Sequence, residues 1–195
     1  GKRVGFTGAM CHHSDIGGPA PGSYNTSATE IYAEGLRIPP LKIKTRGELN
    51  SDVLALLLQN VRERAMFRGD LMAQIAALEI GGSQVVRLCD KYGFATLTQV
   101  SSQILDQSEA AVRRTIESVP DGEYVFEDFV DDDGINDEPI RIAVRLTVSG
   151  DRVLVDFGGT SPQVAGPVNC TLNVAKCAVY YAVIAGLGGE FQANS

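Results

Sequence analysis

The residues best suited to chemistry lie in one short stretch near the start of the chain, residues 10–18. This stretch contains both histidines of the chain, His12 and His13, and an aspartate, Asp15, with a glycine pair two residues further on. Imidazole nitrogen and carboxylate oxygen are ligands that proteins offer to zinc, manganese and iron. The stretch therefore predicts a metal site, and a surface turn with two solvated histidines is the alternative.

Two elements must position these side chains. An apolar run over residues 4–9 leads directly into the histidines, and it predicts a buried strand. Residues 12–27 are rich in Gly, Pro and Ser, and they predict a loop. A rigid strand that delivers ligands into a turn permitted by glycine is a common way to build a site.

Composition restricts the class of protein. The 195-residue chain has an apolar content of 44% and a formal net charge of -7, which is typical of a globular protein with a sizeable core. Nucleic acid is not an expected partner because no basic patch with interleaved aromatic residues occurs. No apolar run reaches the ~20 residues of a membrane span. The four cysteines form no C-x-x-C pair, so we expect free thiols and a cytoplasmic location.

The sequence predicts an α+β fold in three parts. Residues 1–49 would hold the motif strand and the metal-site loop. Residues 50–119 show apolar stripes at three- and four-residue steps, which predict three helices, with a kink or break at the glycine pair 81–82. Residues 120–195 first alternate with period two between turn signals, which predicts an antiparallel β-meander.

The closing segment, residues 174–185, is apolar nearly all round, and it predicts a buried helix capped by Asn173. The sequence opens within the predicted motif strand and stops without a terminal element, so we expect an internal part of a longer chain. The closing helix would then need cover from the remaining protein. We expect the isolated piece to self-associate or to be inactive.

An acidic run over residues 131–138 invites a calcium interpretation, which fails. If Gly134 occupied position six of an EF-hand loop, Phe129 and Ile140 would stand where carboxylates are required. The run predicts a solvated hairpin turn instead.

Two further chemical patterns are also unfavourable. The sequence GGTS at residues 158–161 lacks the lysine of a phosphate-binding loop, and no dinucleotide fingerprint occurs. We therefore do not expect this chain alone to bind ATP or NAD. A nucleophilic Cys11 is not expected either, because adjacent residues at a strand end face opposite ways.

Four segments, in order along the chain, resemble the signatures of one family. They are residues 11–23 (CHHSDIGGPAPGS), 34–40 (EGLRIPP), 68–77 (RGDLMAQIAA) and 156–169 (DFGGTSPQ, then GPVN). They resemble H-H-x-D-x-G-G-x-x-P-G-S, G-D-L-x-A-Q-x-A-A and D-F-x-G-T-S-P-Q…G-P-x-N of the hydantoinase B/5-oxoprolinase family. That family includes N-methylhydantoinase B subunits, the matching half of ATP-dependent 5-oxoprolinases, and acetone carboxylase α subunits.

The resemblance implies a divided chemistry. A hydantoinase A-type partner subunit binds ATP and phosphorylates the substrate carbonyl oxygen, and the B-type subunit completes the reaction at a divalent metal, zinc or manganese. On this sequence the resemblance makes His12 and Asp15 the metal ligands. It makes His13 a second ligand, a support for a ligand, or the catalytic proton-transfer group. The family's further ligand segment, with another Asp and His, lies upstream and is absent from this sequence.

The function implied by the resemblance is ATP-dependent hydrolysis of a cyclic amide, such as a hydantoin or 5-oxoproline, by a cytoplasmic hetero-oligomer. ATP-dependent carboxylation of acetone or another ketone is the alternative within the family. A non-catalytic assembly module, whose histidines are structural, is the alternative from another class of protein.

Overall fold

A computed structural model describes residues 3–188 of the chain, which divides into two compact units, residues 1–94 and 95–195. The described residues form four α-helices, one two-stranded sheet and one three-stranded sheet, and both sheets are antiparallel. The α+β class expected from the sequence is therefore confirmed.

The first unit consists of a long irregular segment followed by two helices. Its elements are strands β1 (Lys44–Thr45) and β2 (Glu48–Leu49), which form a short hairpin, and helices α1 (Ser51–Gln59) and α2 (Arg64–Tyr92). Short 3-10 helices at Pro21–Ser23 and Ile31–Glu34 interrupt the irregular segment. The polypeptide that carries the histidine motif is thus held by loop contacts and not by a sheet.

The apolar core of this unit lies where α1 and α2 meet the motif loop. Helix α1 begins where the Asn50 side chain accepts hydrogen bonds from the backbone N–H groups of residues 52 and 53, which satisfies two otherwise unpaired donors. The buried core consists of Leu57, Val61 and Phe67. The partly buried residues packed against it are Ile16, Leu36, Ile43, Val53, Leu58 and Leu71. Because Ile16 belongs to the motif loop, the core fixes that loop to the two helices.

The second unit contains the expected meander. Helix α3 (Phe94–Ile116) carries the chain into strands β3 (Gly122–Val130), β4 (Ile140–Ser149) and β5 (Arg152–Asp156), and helix α4 (Leu172–Leu187) follows. Strand β4 is central, and its registers place Ile140 opposite Val130 and Ser149 opposite Arg152. Short turns between consecutive strands permit antiparallel pairing only, which is why the period-two pattern predicted this sheet correctly.

The structure differs from the expectation at residues 4–9, where the sequence predicted a buried strand. The segment is irregular, and Val4 and Phe6 are 38% and 87% exposed. A strand needs a neighbour to pair its backbone groups, and neither sheet of the described residues includes this segment. The Thr7 hydroxyl instead donates a hydrogen bond to the backbone carbonyl of Leu78 in α2. A helix, and not a sheet, therefore holds the approach to the motif.

The kink or break expected at the glycine pair of α2 is also not observed. The helix is continuous from Arg64 to Tyr92. A Cβ atom on Gly81 would lie 3.2 Å from Cγ2 of Thr7, whereas one on Gly82 would meet nothing within 4 Å. Gly81 thus permits the segment before the motif to approach the helix closely.

Helix α4 is not buried, contrary to the prediction. None of its described residues is buried, and Leu172, Val174 and Tyr181 are more than half exposed. The prediction of an Asn173 cap is also wrong, because the helix starts after Thr171 and no side chain caps it. An apolar sequence shows what a helix can bury, but burial also needs a covering surface, which residues 3–188 do not supply. No helix within that range has both the length and the apolar character needed to cross a membrane.

The sequence predicted a solvated hairpin turn between β3 and β4, but one aspartate of this turn is buried. Asp133 is 2% exposed, and its carboxylate accepts hydrogen bonds from the backbone N–H groups of Ile135, Asn136 and Gly166. The bond from Asn136, with those from Ile135 and Gly166, lowers the pKa of Asp133 to about 2, although burial acts in the opposite direction. Asp133 therefore ties the hairpin turn to the loop after β5.

Candidate metal and catalytic site

The motif loop is organised around the carboxylate of Asp15, whose side chain is 2% exposed. Oδ1 accepts hydrogen bonds from the backbone N–H groups of Gly17 at 2.9 Å and Arg62 at 3.1 Å. Oδ2 accepts hydrogen bonds from the N–H of Gly22 at 3.0 Å and from Nη1 of Arg62 at 2.9 Å. Burial raises the pKa of the Asp15 carboxyl, but the four hydrogen bonds outweigh burial and hold this pKa well below its usual range. Asp15 is therefore ionised, and this chain already fills its four acceptor positions.

Arg62 closes the loop from the connection between α1 and α2. Its guanidinium also donates hydrogen bonds to the carbonyl oxygens of Gly18 at 2.6 Å and Ala20 at 3.1 Å. A planar guanidinium carries five donors in a fixed arrangement, so it can bind a carboxylate and several carbonyls at once, which a lysine could not do. One side chain therefore holds both the Asp15 carboxylate and the turn that follows it.

Close packing requires the glycine pair after Asp15. Gly17 and Gly18 have φ angles of 91° and 81°, in the region that favours glycine. A Cβ atom on Gly17 would lie 2.8 Å from the carbonyl oxygen of Asn60, and one on Gly18 would lie 3.1 Å from that of Ala33. The aspartate and the glycines of the motif thus meet a folding requirement.

His13 is held against α2. Its ring packs on that of Phe67, with the ring centroids 4.4 Å apart and the planes inclined by 30°. Its Nδ1 lies 3.8 Å from Oδ2 of Asp70, three residues beyond Phe67 on the same helix. This nitrogen is buried and has no hydrogen-bond partner among the described residues, because 3.8 Å is too long for a hydrogen bond. The structure thus presents a fixed imidazole with an unpaired nitrogen beside a carboxylate.

Cys11 also lies close to His13 and Asp70. The thiol sulfur of Cys11, an imidazole nitrogen of His13 and a carboxylate oxygen of Asp70 all lie within 4.8 Å of one another. Cys11 is exposed, whereas the other two residues are of intermediate exposure, so the group is open to solvent on the cysteine side. Sulfur, nitrogen and oxygen donors of these types are the ligands of protein-bound zinc.

The two residues predicted as metal ligands lie outside this group. His12 is exposed, and the oxygens of Asp15 are engaged by Arg62 and the loop. Within residues 3–188, neither belongs to a cluster of three or more potential Cys, His, Asp or Glu ligands. Metal binding by His12 and Asp15 stays a prediction of the resemblance. The group of potential ligands that this structure does bring together contains His13.

The sequence identified His13 but missed its neighbours. The argument against Cys11 considered adjacent residues only, whereas Cys11 and His13 are two residues apart, and such residues share a side in an extended chain. Asp70 lies inside the matched segment 68–77, so its motif position was the available signal. Arg62 lies outside every matched segment, and nothing in the sequence distinguishes it.

Known proteins resemble this chain in sequence and in structure. The caprolactamase subunit beta of Pseudomonas jessenii is 36% identical over 182 residues, which cover 92% of this chain and 31% of that protein. The acetophenone carboxylase delta subunit of Aromatoleum aromaticum is 32% identical over 171 residues, which cover 87% of this chain and 25% of that protein. A crystal structure of the ATP-dependent caprolactamase from Pseudomonas jessenii matches 88% of this chain and 29% of its own, with a TM-score of 0.78 and 34% identity.

This chain spans at most about a third of the length of these relatives. The family model described as Hydantoinase B/oxoprolinase matches residues 1–195. The match includes the segment with Cys11 and His13 and the segment with Asp70, which the fold brings together at the candidate site. The chain therefore belongs to the hydantoinase B/oxoprolinase family.

Proposed function

We propose that this chain is part of the B-type subunit of an ATP-dependent cyclic amide hydrolase, that an A-type partner subunit binds the ATP, and that His13 is a catalytic residue. One observation carries the proposal. The Nδ1 atom of His13 lies 3.8 Å from the carboxylate of Asp70. It forms no hydrogen bond with any described residue. The similarity to an ATP-dependent caprolactamase, at 34% identity, supports the reaction class.

A cyclic amide must be activated before water can open it, because amide resonance makes its carbonyl carbon a poor electrophile. Transfer of the terminal phosphoryl group of ATP to the carbonyl oxygen removes this resonance and releases ADP. Water then adds its oxygen to the carbon and gives up a proton, and the C–N bond breaks as the nitrogen takes up a proton. The remaining acyl phosphate reacts with a second water to give a carboxylate and phosphate. The ring-opening steps thus need a group that accepts and releases protons.

The residues of this chain suit the steps that follow phosphorylation. The sequence has no phosphate-binding loop, which agrees with ATP binding on the A-type partner. The imidazole of His13 is of the side-chain type that can move protons near neutral pH or ligate a metal. A divalent cation, which the family resemblance implies, would supply Lewis-acid chemistry that lowers the pKa of water from ~16 to ~7.

The test uses the complete protein with its A-type partner and ATP. We expect ring opening of at least one compound in a panel of hydantoins, 5-oxoproline and lactams, with matching formation of ADP. His13→Ala should lower kcat/KM by about 100-fold or more. Cys170→Ser changes an exposed free cysteine of the second unit and should leave kcat/KM unchanged. Two folded subunits that open no member of the panel in the presence of ATP would contradict the proposal.

Ketone carboxylation is the second candidate, and the 32% identity to an acetophenone carboxylase subunit favours it. In that reaction an enolate carbon attacks activated carbon dioxide, and a C–C bond forms. Incorporation of labelled bicarbonate into a ketone, with no opening of any cyclic amide, would identify the carboxylase. Full activity of His13→Ala in whichever assay the wild-type protein passes would instead indicate an assembly module with a structural histidine.

A further inference from the structure

We infer that Asp70 is a positioning residue for His13: its carboxylate accepts the Nδ1 proton, fixes the tautomer of the imidazole, and leaves Nε2 as the nitrogen that exchanges protons. The two side chains are neighbours in the structure, with Oδ2 of Asp70 beside Nδ1 of His13. The task of Nε2 rests on the proposed function, in which His13 is catalytic. The position of the proton within the ring does not rest on it.

The chemistry of the two groups allows one arrangement of this proton. A neutral imidazole has one nitrogen that carries a proton and one that has a free lone pair. An ionised carboxylate only accepts hydrogen bonds, so the nitrogen that faces Asp70 must be the one that carries the proton. That nitrogen is Nδ1, which has no other partner among the described residues. The lone pair of the neutral ring is therefore on Nε2.

The burial of the ring leads to the same assignment. Nδ1 is buried, but the His13 side chain as a whole is 17% exposed. Solvent or a substrate therefore reaches the ring at atoms other than Nδ1. A nitrogen that exchanges protons with a substrate must be accessible, and Nε2 is the only other nitrogen of the ring.

Helix α2 supplies both contacts of the ring. Phe67 and Asp70 are three residues apart, so they lie on the same face of the helix. Phe67 is 4% exposed and belongs to the buried core, which fixes its position. Its contact with the His13 ring, at a centroid distance of 4.4 Å, limits the rotation of that ring. One face of a helix thus holds the imidazole and presents a carboxylate to Nδ1.

A short movement of Asp70 converts the contact into a hydrogen bond. The separation of 3.8 Å exceeds the usual N–H···O distance by roughly 0.8 Å. The Asp70 side chain is 35% exposed, so it has room to rotate, unlike that of Asp15, whose oxygens accept four hydrogen bonds. Hydrogen bonds between catalytic groups are often long in proteins without substrate, and they shorten when the substrate is bound.

The pair gives each nitrogen of His13 a separate task. Nε2 accepts a proton from the water that adds to the activated carbonyl carbon, and it returns a proton to the substrate nitrogen as the C–N bond breaks. The proton on Nδ1 stays in place, and the negative charge of Asp70 stabilises the imidazolium that exists between the two transfers. Without the carboxylate the ring would populate both tautomers, and one of them presents a protonated Nε2 that cannot accept the first proton.

The kinetic test compares single and double variants of the complete protein with its A-type partner and ATP. Asp70→Asn should lower kcat by about 10- to 100-fold with KM little changed, because Asp70 orients the proton-transfer group and does not bind substrate. Asp70→Glu keeps a carboxylate and should recover part of the loss. In the His13→Ala background Asp70→Asn should cause no further loss, since its effect passes through His13. Asp90→Asn changes an exposed aspartate of α2, and as the matched control it should keep the wild-type kcat.

Nitrogen NMR tests the position of the proton directly. The complete protein is labelled with ¹⁵N-histidine, and the signals of His13 are identified by their absence from His13→Gln. In the neutral ring of the wild-type protein we expect Nδ1 to carry the proton and Nε2 to be unprotonated. Asp70→Ala should shift the ring toward the tautomer with the proton on Nε2. This measurement needs neither substrate nor ATP.

Two results would overturn the inference. One is a neutral wild-type His13 ring with its proton on Nε2, which does not depend on the folding of Asp70 variants. The other is a loss from Asp70→Asn that is as large in the His13→Ala background as in the wild-type background, because that loss would not pass through His13. Either result leaves the proposed function standing when the wild-type protein opens a cyclic amide. Absence of ring opening by the wild-type protein would refute the proposed function, and the NMR measurement would still decide the tautomer.

Discussion

Both units carry a family motif, but the motif of the first unit differs in one respect from that of the second. In the second unit the Thr160 hydroxyl exchanges hydrogen bonds with the N–H and the carbonyl of Ala143. The Asn169 amide bonds to both backbone groups of Val164 and closes its loop. In the first unit Nδ1 of His13 is buried, and no described residue pairs with it. Thr160 and Asn169 are thus hydrogen-bonded within their own unit, whereas Nδ1 of His13 has no partner among the described residues.

This difference separates residues that fold a loop from residues available for chemistry. Asp15 and Asp133 are both buried aspartates whose oxygens are filled by hydrogen bonds from their own unit, so both behave as folding residues. Asp70 stands beside an unpaired imidazole nitrogen, and the proposed function places it with the chemistry. A motif contains both kinds of residue, and a buried polar atom without a partner distinguishes them.

The largest expected effect contrasts one motif residue from each unit. Asp70→Asn should lower kcat/KM for ATP-dependent ring opening by about 10- to 100-fold with little change in stability, because it removes the carboxylate charge beside His13. Asn169→Ala should cost about 1–3 kcal/mol of stability through lost hydrogen bonds, with kcat/KM per folded molecule unchanged. Steady-state kinetics and urea unfolding of both variants measure the two effects. Equal losses of kcat/KM in fully folded samples would remove the distinction between the two motifs.

A second effect tests whether Arg62 acts as the closure of the motif loop. Arg62→Ala leaves the buried Asp15 carboxylate without its charged partner, and we expect a cost of about 2–4 kcal/mol. Arg113 also bonds to two carboxylates, those of Glu109 and Asp151, but all three side chains are at least 40% exposed. Arg113→Ala should therefore cost far less stability than Arg62→Ala.

Hydrogen exchange locates the effect of the Arg62 substitution. Amide protection should fall in residues 15–23 of Arg62→Ala and stay at the wild-type level in Arg113→Ala. A similar loss of stability in both variants would show that burial of Asp15 does not strengthen its pair with Arg62.

The helices and the meander could be predicted from the sequence because their signals are local. Helical periodicity predicted three helices between residues 50 and 119, where α1, α2 and α3 lie. Short turns between alternating segments predicted the antiparallel sheet. The strand at residues 4–9 and the burial of α4 were wrong for one shared reason. Pairing and burial need a second surface, and an apolar sequence does not show whether that surface is present.

The candidate site could be predicted only in part, for a similar reason. Residue type marked His12, His13 and Asp15 as possible ligands, but only coordinates show which of their atoms are already hydrogen-bonded. Asp15 is paired with Arg62, 47 residues away in sequence and outside every motif. A side chain that satisfies a carboxylate over such a distance has no local signal, so the folding role of Asp15 was not visible in the sequence.

A smaller effect concerns acid stability of the second unit. Folded Asp133 has a pKa of about 2, below the ~3.9 of an aspartate in an unfolded chain. Its contribution to stability is therefore complete above pH ~4 and is lost as the pH falls through about 2. Asp133→Asn should lower stability at neutral pH and flatten this part of the stability curve. Asp131→Asn, at an exposed position of the same turn, should preserve the wild-type curve, and urea unfolding at several pH values compares the three proteins.

The smallest expected effect tests how the segment before the histidine motif is held. Gly82→Ala should stabilise the protein by about 0.5–1 kcal/mol, because alanine favours helix and its Cβ would meet nothing within 4 Å. Gly81→Ala should gain less or lose stability, since its Cβ would lie 3.2 Å from Cγ2 of Thr7. Thr7→Ser removes that methyl group and keeps the hydroxyl that bonds to Leu78, so it should restore the gain in the double variant. Thermal unfolding of the four variants measures these differences, and equal gains from both alanines would show that the segment does not pack on α2 in solution.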